Sequence, residues 1–275
     1  GWLMWVAGER VCMGEDGTTT PNGRPVVGTL LDPAGDEQAR ELSFALARES
    51  GAPVRLVSPL RAPDTRGGQA TTAPADGPPV RFAGTESAAG SGRSPAEVVA
   101  EEAVDATADV VTVERPASES SGAGIRRGTT DRIVANAPTD AVVANGCGEL
   151  EGLASILVPV TGGPHTDLTV RVARALAEHE NAWIELFTVV PEDAEADRRS
   201  EGAEHLAAAR RYLGEFEEFD TWLYEADDPA AAIVEQSAYY DAIVMGAPTK
   251  SRLERVVFGS TLDSVDESVD IPVVT

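Results

Sequence analysis

The residues from Ile243 to Thr261 carry the densest chemistry in the chain. Ile243-Val244-Met245-Gly246 reads as a buried strand that runs into a glycine. Ala247-Pro248-Thr249 follows, then a loop holding Lys250, Arg252 and Arg255, then Gly259-Ser260-Thr261. Glycine lets backbone N–H groups approach an anion closely, and a helix N-terminus offers unpaired donors and the positive end of its dipole. A helix is expected over residues 262–268 and an apolar strand over 271–274. The chemistry this order suits is phosphate binding. Lys250, Arg252 and Arg255 could pair with phosphate oxygens, or could form a surface loop that balances an acidic protein.

These residues need elements to hold them, and the pattern supplies two sets. Pro25 to Leu31 is an apolar run before Asp32-Pro33, and Ala39, Leu42, Ala45 and Leu46 follow at helical spacing before a second strand, Val54-Arg55-Leu56-Val57. In the other half, residues 156–160 form a strand before Thr161-Gly162-Gly163. Leu168, Val172, Ala175 and Leu176 share a helix face, and residues 183–190 are the next strand. Strand, helix and strand in this order argue for a parallel sheet. The halves align at a spacing of 130 residues: Ala45-Leu46-Ala47 matches Ala175-Leu176-Ala177. Ser94-Pro95-Ala96 and Asp228-Pro229-Ala230 each read as an N-cap with proline at the first helical position. Residues 109–113 match 241–245, Gly128-Thr129-Thr130 matches Gly259-Ser260-Thr261, and Ala141-Val142-Val143 matches Pro272-Val273-Val274. The second copy has a helix at about 201–216. The first has residues 61–79 there, rich in Gly, Thr, Ala and Pro, which read as a mobile loop.

On these residues the chain resembles the universal stress protein family, as a tandem pair over residues 25–146 and 153–275, after an arm and linker over 1–24. The resemblance rests on the strand-helix order, on the family's Gly-x-x-Gly, nine residues, Gly-Ser/Thr signature, and on the Pro-Val-Val ending. It implies an α/β architecture of two Rossmann-like, adenine nucleotide alpha hydrolase-like domains. Each would be a five-stranded parallel sheet with helices on both faces, the two packing as a pseudo-dimer, with a homodimer a further option. It implies a regulatory module that is not an enzyme and binds ATP or another adenine nucleotide, or a degenerate form that binds none. Carried over by position, the site would comprise Thr161, Val189, Gly246, Thr249, Lys250, Arg252, Gly259, Ser260 and Thr261. Thr161 stands where nucleotide-binding members usually have Asp, and Thr249 where the signature has its second Gly. In the first copy Arg115 (or Glu114, one residue earlier) and Ser118 replace the two glycines. Asp32 is placed near the family's Asp, and Arg126 and Arg127 precede Gly128. That copy reads as a structural partner, or as an anion site built from the two arginines and the helix start.

Composition bounds the rest. The 275 residues allow two compact domains. Asp and Glu number 46 against 22 Lys and Arg, a formal charge of −24, and Lys250 is the one lysine. Such a surface keeps a protein soluble where salt screens charge, as in the cytoplasm of halophilic archaea, and it argues against nucleic-acid partners. Cys12 and Cys147 follow no metal or redox spacing, and the three histidines are too scattered for a zinc site, so no metal is expected. A reducing, cytoplasmic setting fits. The apolar residues 2–7 are too few to span a bilayer, which takes about 20. They read as a docked arm or as the cytoplasmic end of a membrane helix. In the second case the chain would be the regulatory tail of an amino-acid permease-like transporter, tethered to the inner face of the cell membrane. An enzyme is the weaker alternative: Thr161-Gly162-Gly163-Pro164-His165-Thr166 is faintly similar to the loop of adenylating enzymes, with two defining positions changed.

Overall fold

The computed structural model describes residues 3–6, 9–12, 23–31, 36–60, 77–82, 92–116, 128–145, 148–247, 265 and 268–275. Of these, the residues up to Val113 together with 128–141 make one compact unit, and residues 114–116 with those from Val142 onward make another.

The first unit begins with an antiparallel hairpin of β1 (Leu3–Val6) and β2 (Glu9–Cys12), with Leu3 opposite Cys12. The repeat proper then runs β3 (Val26–Thr29), α1 (Glu37–Ser50), β4 (Val54–Val57), β5 (Val80–Phe82), α2 (Pro95–Ala106), β6 (Val110–Arg115), α3 (Thr129–Asn136) and β7 (Asp140–Asn145). Its strand order is β5-β4-β3-β6-β7, with β5, β4, β3 and β6 parallel. Alternation across the sheet sorts the side chains. Gly28, Leu56 and Thr112 face α1, where Ser43 Oγ lies 2.6 Å from Thr112 Oγ1. A β-carbon on Gly28 would fall 2.5 Å from Ser43 Oγ and 2.8 Å from Leu56 Cδ2, so helix and sheet close here only on hydrogen. On the opposite face Arg55 reaches Glu102 of α2 at 2.5 Å. Ser94 caps α2 in a capping box: its Oγ accepts from Glu97 N–H at 3.3 Å, and Glu97 Oε2 accepts from Ser94 N–H at 2.6 Å. The bonds that Ser94 N–H and then Ser94 Oγ donate to Glu97 Oε2 hold that carboxyl below its ordinary pKa. Residues 61–76, most of the expected loop, lie outside the described residues, and 77–79 lead into β5.

The second unit runs β8 (Ser155–Pro159), α4 (Thr166–Glu180), β9 (Trp183–Val190), α5 (Ala196–Leu213), β10 (Phe219–Glu225), α6 (Pro229–Ser237), β11 (Ala242–Val244) and β12 (Val273–Val274). The five strands are parallel in the order β10-β9-β8-β11-β12. One face packs Leu157, Phe187, Ile243 and Val273 against Ile233 of α6 and against Val265 and Val269. The other packs β8, β9 and β11 beneath α4, and β9 and β10 beneath α5. Gly202 of α5 lies there against Thr188, Val190 and Leu223. Asp228 caps α6 by accepting from the N–H groups of Ala230 and Ala231, as its sequence predicts. Residues 142–145, the end of β7, also belong to this unit. They run antiparallel to β12, with Val273 opposite Asn145 and Val274 opposite Ala144, and this pairing covers the β12 edge.

The α/β architecture is therefore the expected one, a pair of Rossmann-like repeats. Their helix ends match too. α1 stops at Gly51 (φ 62°) and α4, 130 residues on, stops at Asn181 (φ 59°), both left-handed. α2 ends the same way on Thr107 (φ 53°), a β-branched residue. The helix expected from about residue 201 begins earlier, at Ala196. Its polar first turns are held by charge pairing, Arg198 to Glu201 at 2.8 Å, rather than by an apolar face. Among the described residues no helix is long and apolar enough to cross a membrane.

Candidate functional site

In a strand order of this kind the connections leave β8 and β11 toward opposite faces, and a crevice opens between their carboxyl ends. Three expected residues lie along that edge. Leu157 is level with Ile243 and Pro159 with Phe187; continued by two or three residues, these registers bring Gly246 beside Val160 and Val189 beside Thr161. The end of β8 is pinned to β9 twice: Val160 N–H donates to Phe187 O at 2.8 Å, and Thr188 Oγ1 donates to Val160 O at 2.7 Å. Thr161 is exposed at the mouth. Val189 is half-buried and packs against the core that holds Leu157, Phe187 and Met245.

Two glycines shape the crevice. Gly246 leaves β11 just after Met245 N–H has donated to Val274 O at 2.9 Å. A β-carbon on Gly246 would come 3.2 Å from Thr169 Oγ1 and 3.6 Å from His165 Cβ, both at the start of α4. Gly162 adopts φ +71°, a region that favours glycine, and its α-carbon is covered by the imidazole of His205 from α5. A β-carbon there would fall 2.2 Å from His205 Cδ2 and 2.3 Å from Nε2. The loop then bends back on itself: Thr166 N–H and Oγ1 both donate to Gly163 O, at 3.2 and 2.7 Å, and Thr169 N–H donates to His165 O at 2.9 Å. His165 sits at the N-cap position of α4 and gives no side-chain cap.

Thr249, Lys250, Arg252, Gly259, Ser260 and Thr261 lie outside the described residues, as do Arg255, Asp32, Ser118, Arg126 and Arg127. Thr161, Val189 and Gly246 are the site residues whose placement is described. Sequence reasoning missed His165, Thr169 and His205. Thr169 follows His165 by one helical turn. His205 is 43 residues from Gly162 in sequence, and only the path through α4, β9 and α5 returns it to the loop. Its rarity was the one available signal, since the chain has three histidines. Among the described residues no group of three or more metal-ligating side chains converges.

In the first repeat the corresponding corner is filled. Arg115, at the position of the signature's first glycine, donates from Nε to Oδ1 of the buried Asn145 at 3.0 Å. Gly128 is the N-cap of α3, and Thr130 in its first turn is fully buried.

Comparison with known proteins follows the same division. Among curated proteins no relative matches the chain. The chain is similar in fold to a universal stress protein from Archaeoglobus fulgidus DSM 4304, at 12% identity over 91% of this chain and 94% of that one, with a TM-score of 0.55. It is similar in the same way to a putative universal stress protein from Pseudomonas aeruginosa UCBPP-PA14, at 14% identity over 92% and 93%, TM-score 0.56. The sequence model of the Universal stress protein family matches residues 153–275, the whole of the second repeat.

Proposed function

We propose that the chain is a regulatory module of the universal stress protein type, and that its second repeat binds ATP or a related adenine nucleotide without transforming it. The observation that carries this reading is the pair of glycines at the crevice. Gly162 follows β8 and Gly246 follows β11, and a β-carbon on either would meet a neighbour, His205 at Gly162 and Thr169 at Gly246. Ligands of open α/β sheets settle at this switch point, and glycine is the residue that lets backbone N–H groups come close to a phosphate there. The family match over residues 153–275 supports the nucleotide class.

On this reading Thr161 and Val189 would meet the nucleoside, and Gly246 the phosphates. Lys250, Arg252, Gly259, Ser260 and Thr261 would follow along the phosphate chain, with Thr249 offering a hydroxyl where the signature has glycine. The nucleotide would supply charge and a binding signal; the chain supplies shape, backbone donors and hydrogen-bonding hydroxyls. The first repeat serves as a structural partner, since Arg115 stands in its corresponding corner bonded to Asn145. Mass spectrometry of natively purified protein is expected to find co-purified adenine nucleotide. Titration with labelled ATP is expected to saturate at one site per chain. Stoichiometry of two, or no binding in either measurement, would overturn the reading.

A further inference from the structure

The two faces of β10 are treated differently. β10 is the last strand of its sheet, and its ladder to β9 is bracketed by two bonds: Ile184 N–H donates to Glu218 O at 2.9 Å, and Ala226 N–H donates to Val190 O at 2.8 Å. With this register the even-numbered residues bond β9, and the backbone groups of Phe219, Thr221, Leu223 and Glu225 point out along the free edge. On the α5 side the strand already holds arginines of that helix. Arg210 lies 5.5 Å from the centre of the Phe219 ring, and Arg199 pairs with Glu225 at 2.6 Å. On the other side Trp222 packs edge-on against Phe187 and Tyr224, at 5.6 and 5.1 Å between ring centres, and is still 37% exposed. Asp220 shares that face and stands directly opposite Glu185 of β9, and like charges so placed repel. Glu185 accepts from Tyr240, and Asp220 accepts from Thr221 N–H at 2.7 Å. Among the described residues no cation lies on Trp222, Tyr224 or Asp220. The sequence between Arg211 and Lys250 contains no Lys, Arg or His.

We propose that the free edge of β10 docks a basic segment of a partner protein, which adds to the sheet in extended conformation and lays cationic side chains over Trp222 beside Asp220. The outward backbone groups of this seven-residue edge are what an extended segment pairs with. The α5 side shows the chemistry that the strand accepts: one guanidinium over a ring and another on a carboxylate. The Trp222 side offers the same two materials with no arginine of this chain described on them. A second copy of the chain is the wrong occupant, because it would set the acids of one β10 against those of the other. Asp220 sharpens the choice. Its carboxylate occupies Thr221 N–H, a donor in the middle of the edge. An incoming basic residue draws the carboxylate away while the partner's carbonyl takes the N–H. A neutral segment has nothing to exchange for it, so the edge stays covered against neutral strands.

The probe is a synthetic peptide as long as β10, alternating arginine and valine, with blocked ends. It is titrated into the full chain by calorimetry in molar potassium chloride, where general attraction to a chain of −24 formal charge is screened. One control peptide carries glutamate for arginine, and another carries proline for the central valine. The arginine peptide is expected to saturate at one per chain, and neither control is expected to bind. Trp222→Ala should weaken binding by about three- to tenfold, and Trp222→Phe should recover part of the loss. Thr221→Pro removes an outward donor without touching the ladder to β9, and should weaken binding by about tenfold or more. Amide exchange on the unaltered protein locates the contact without any substitution: the peptide should slow Phe219, Thr221 and Leu223. No ATP is present, so the result does not depend on the nucleotide reading. Equal affinity in wild type, Trp222→Ala and Thr221→Pro would reveal general attraction to an acidic surface and overturn the inference. Binding of the proline peptide as tightly as the first, unchanged exchange along β10, or no binding at all would overturn it too.

Discussion

The corners of the two repeats that correspond in sequence are built from opposite materials. In the second repeat, Gly246 stands two residues beyond β11, where a β-carbon would come 3.2 Å from Thr169 Oγ1 at the start of α4. In the first, β6 ends on Arg115, whose guanidinium is bonded to Asn145. Glycine is not missing from the first repeat. Gly28 lies under Ser43 in the sheet, where it lets α1 settle onto β3. One repeat thus uses glycine to bring helix and sheet together, and the other also has it where the chain leaves a strand beside the start of a helix. A duplicated fold can keep its packing in both copies while only one copy keeps glycine at that corner.

The largest effect that could break this contrast is at Gly246. Gly246→Val should weaken ATP binding by tenfold or more in calorimetry, while the melting temperature stays within a few degrees of wild type. Unchanged affinity would remove Gly246 from the site. Next is Gly28→Ala. Its β-carbon has no room before Ser43 Oγ and Leu56, so overpacking should cost about 1–3 kcal/mol in chemical denaturation, with ATP affinity unaltered. A loss of ATP affinity in Gly28→Ala without loss of stability would mean that glycines of the first repeat also serve binding.

Arg115→Ala should cost about 1–2 kcal/mol, because the amide of Asn145 is buried and loses its donor, again with no change in ATP binding. A gain in binding would show that the arginine blocks a competent second site. The smallest test asks whether the two scaffolds are equivalent. Ser94→Ala and Asp228→Ala remove helix caps at matched positions, and each should cost about 1 kcal/mol. A twofold difference between them in urea unfolding would show that one repeat is held more by tertiary packing than the other.

Much of the scaffold was legible because it is written twice. The 130-residue spacing located β3 and β8 and α1 and α4, and the Ser-Pro-Ala and Asp-Pro-Ala signals located the proline-led starts of α2 and α6. β10 was missed, since its residues are mostly exposed at a sheet edge and show no clean alternation. The hairpin of β1 and β2 was missed because six apolar residues suit an arm, a membrane end or a strand equally well. That Gly246 and Thr161 each follow a buried strand could be read from the sequence. His205 could not, because its place depends on how α5 returns across the sheet, and local periodicity is silent about that.

Thr107 closes α2 in the left-handed region, where a β-branched side chain crowds its own backbone. Such a residue costs on the order of 1–3 kcal/mol, and here the strain comes with the turn that delivers the chain into β6. The position is therefore a reserve of stability that can be released by one substitution. Thr107→Gly would remove the crowding and give back part of the gain through the freer unfolded chain. A net increase of about 0.5–1 kcal/mol is expected, seen as a melting point higher by a few degrees, and Thr107→Asn should realise a fraction of it. For anyone wishing to make this chain more robust without touching the crevice, that helix end is the place to begin.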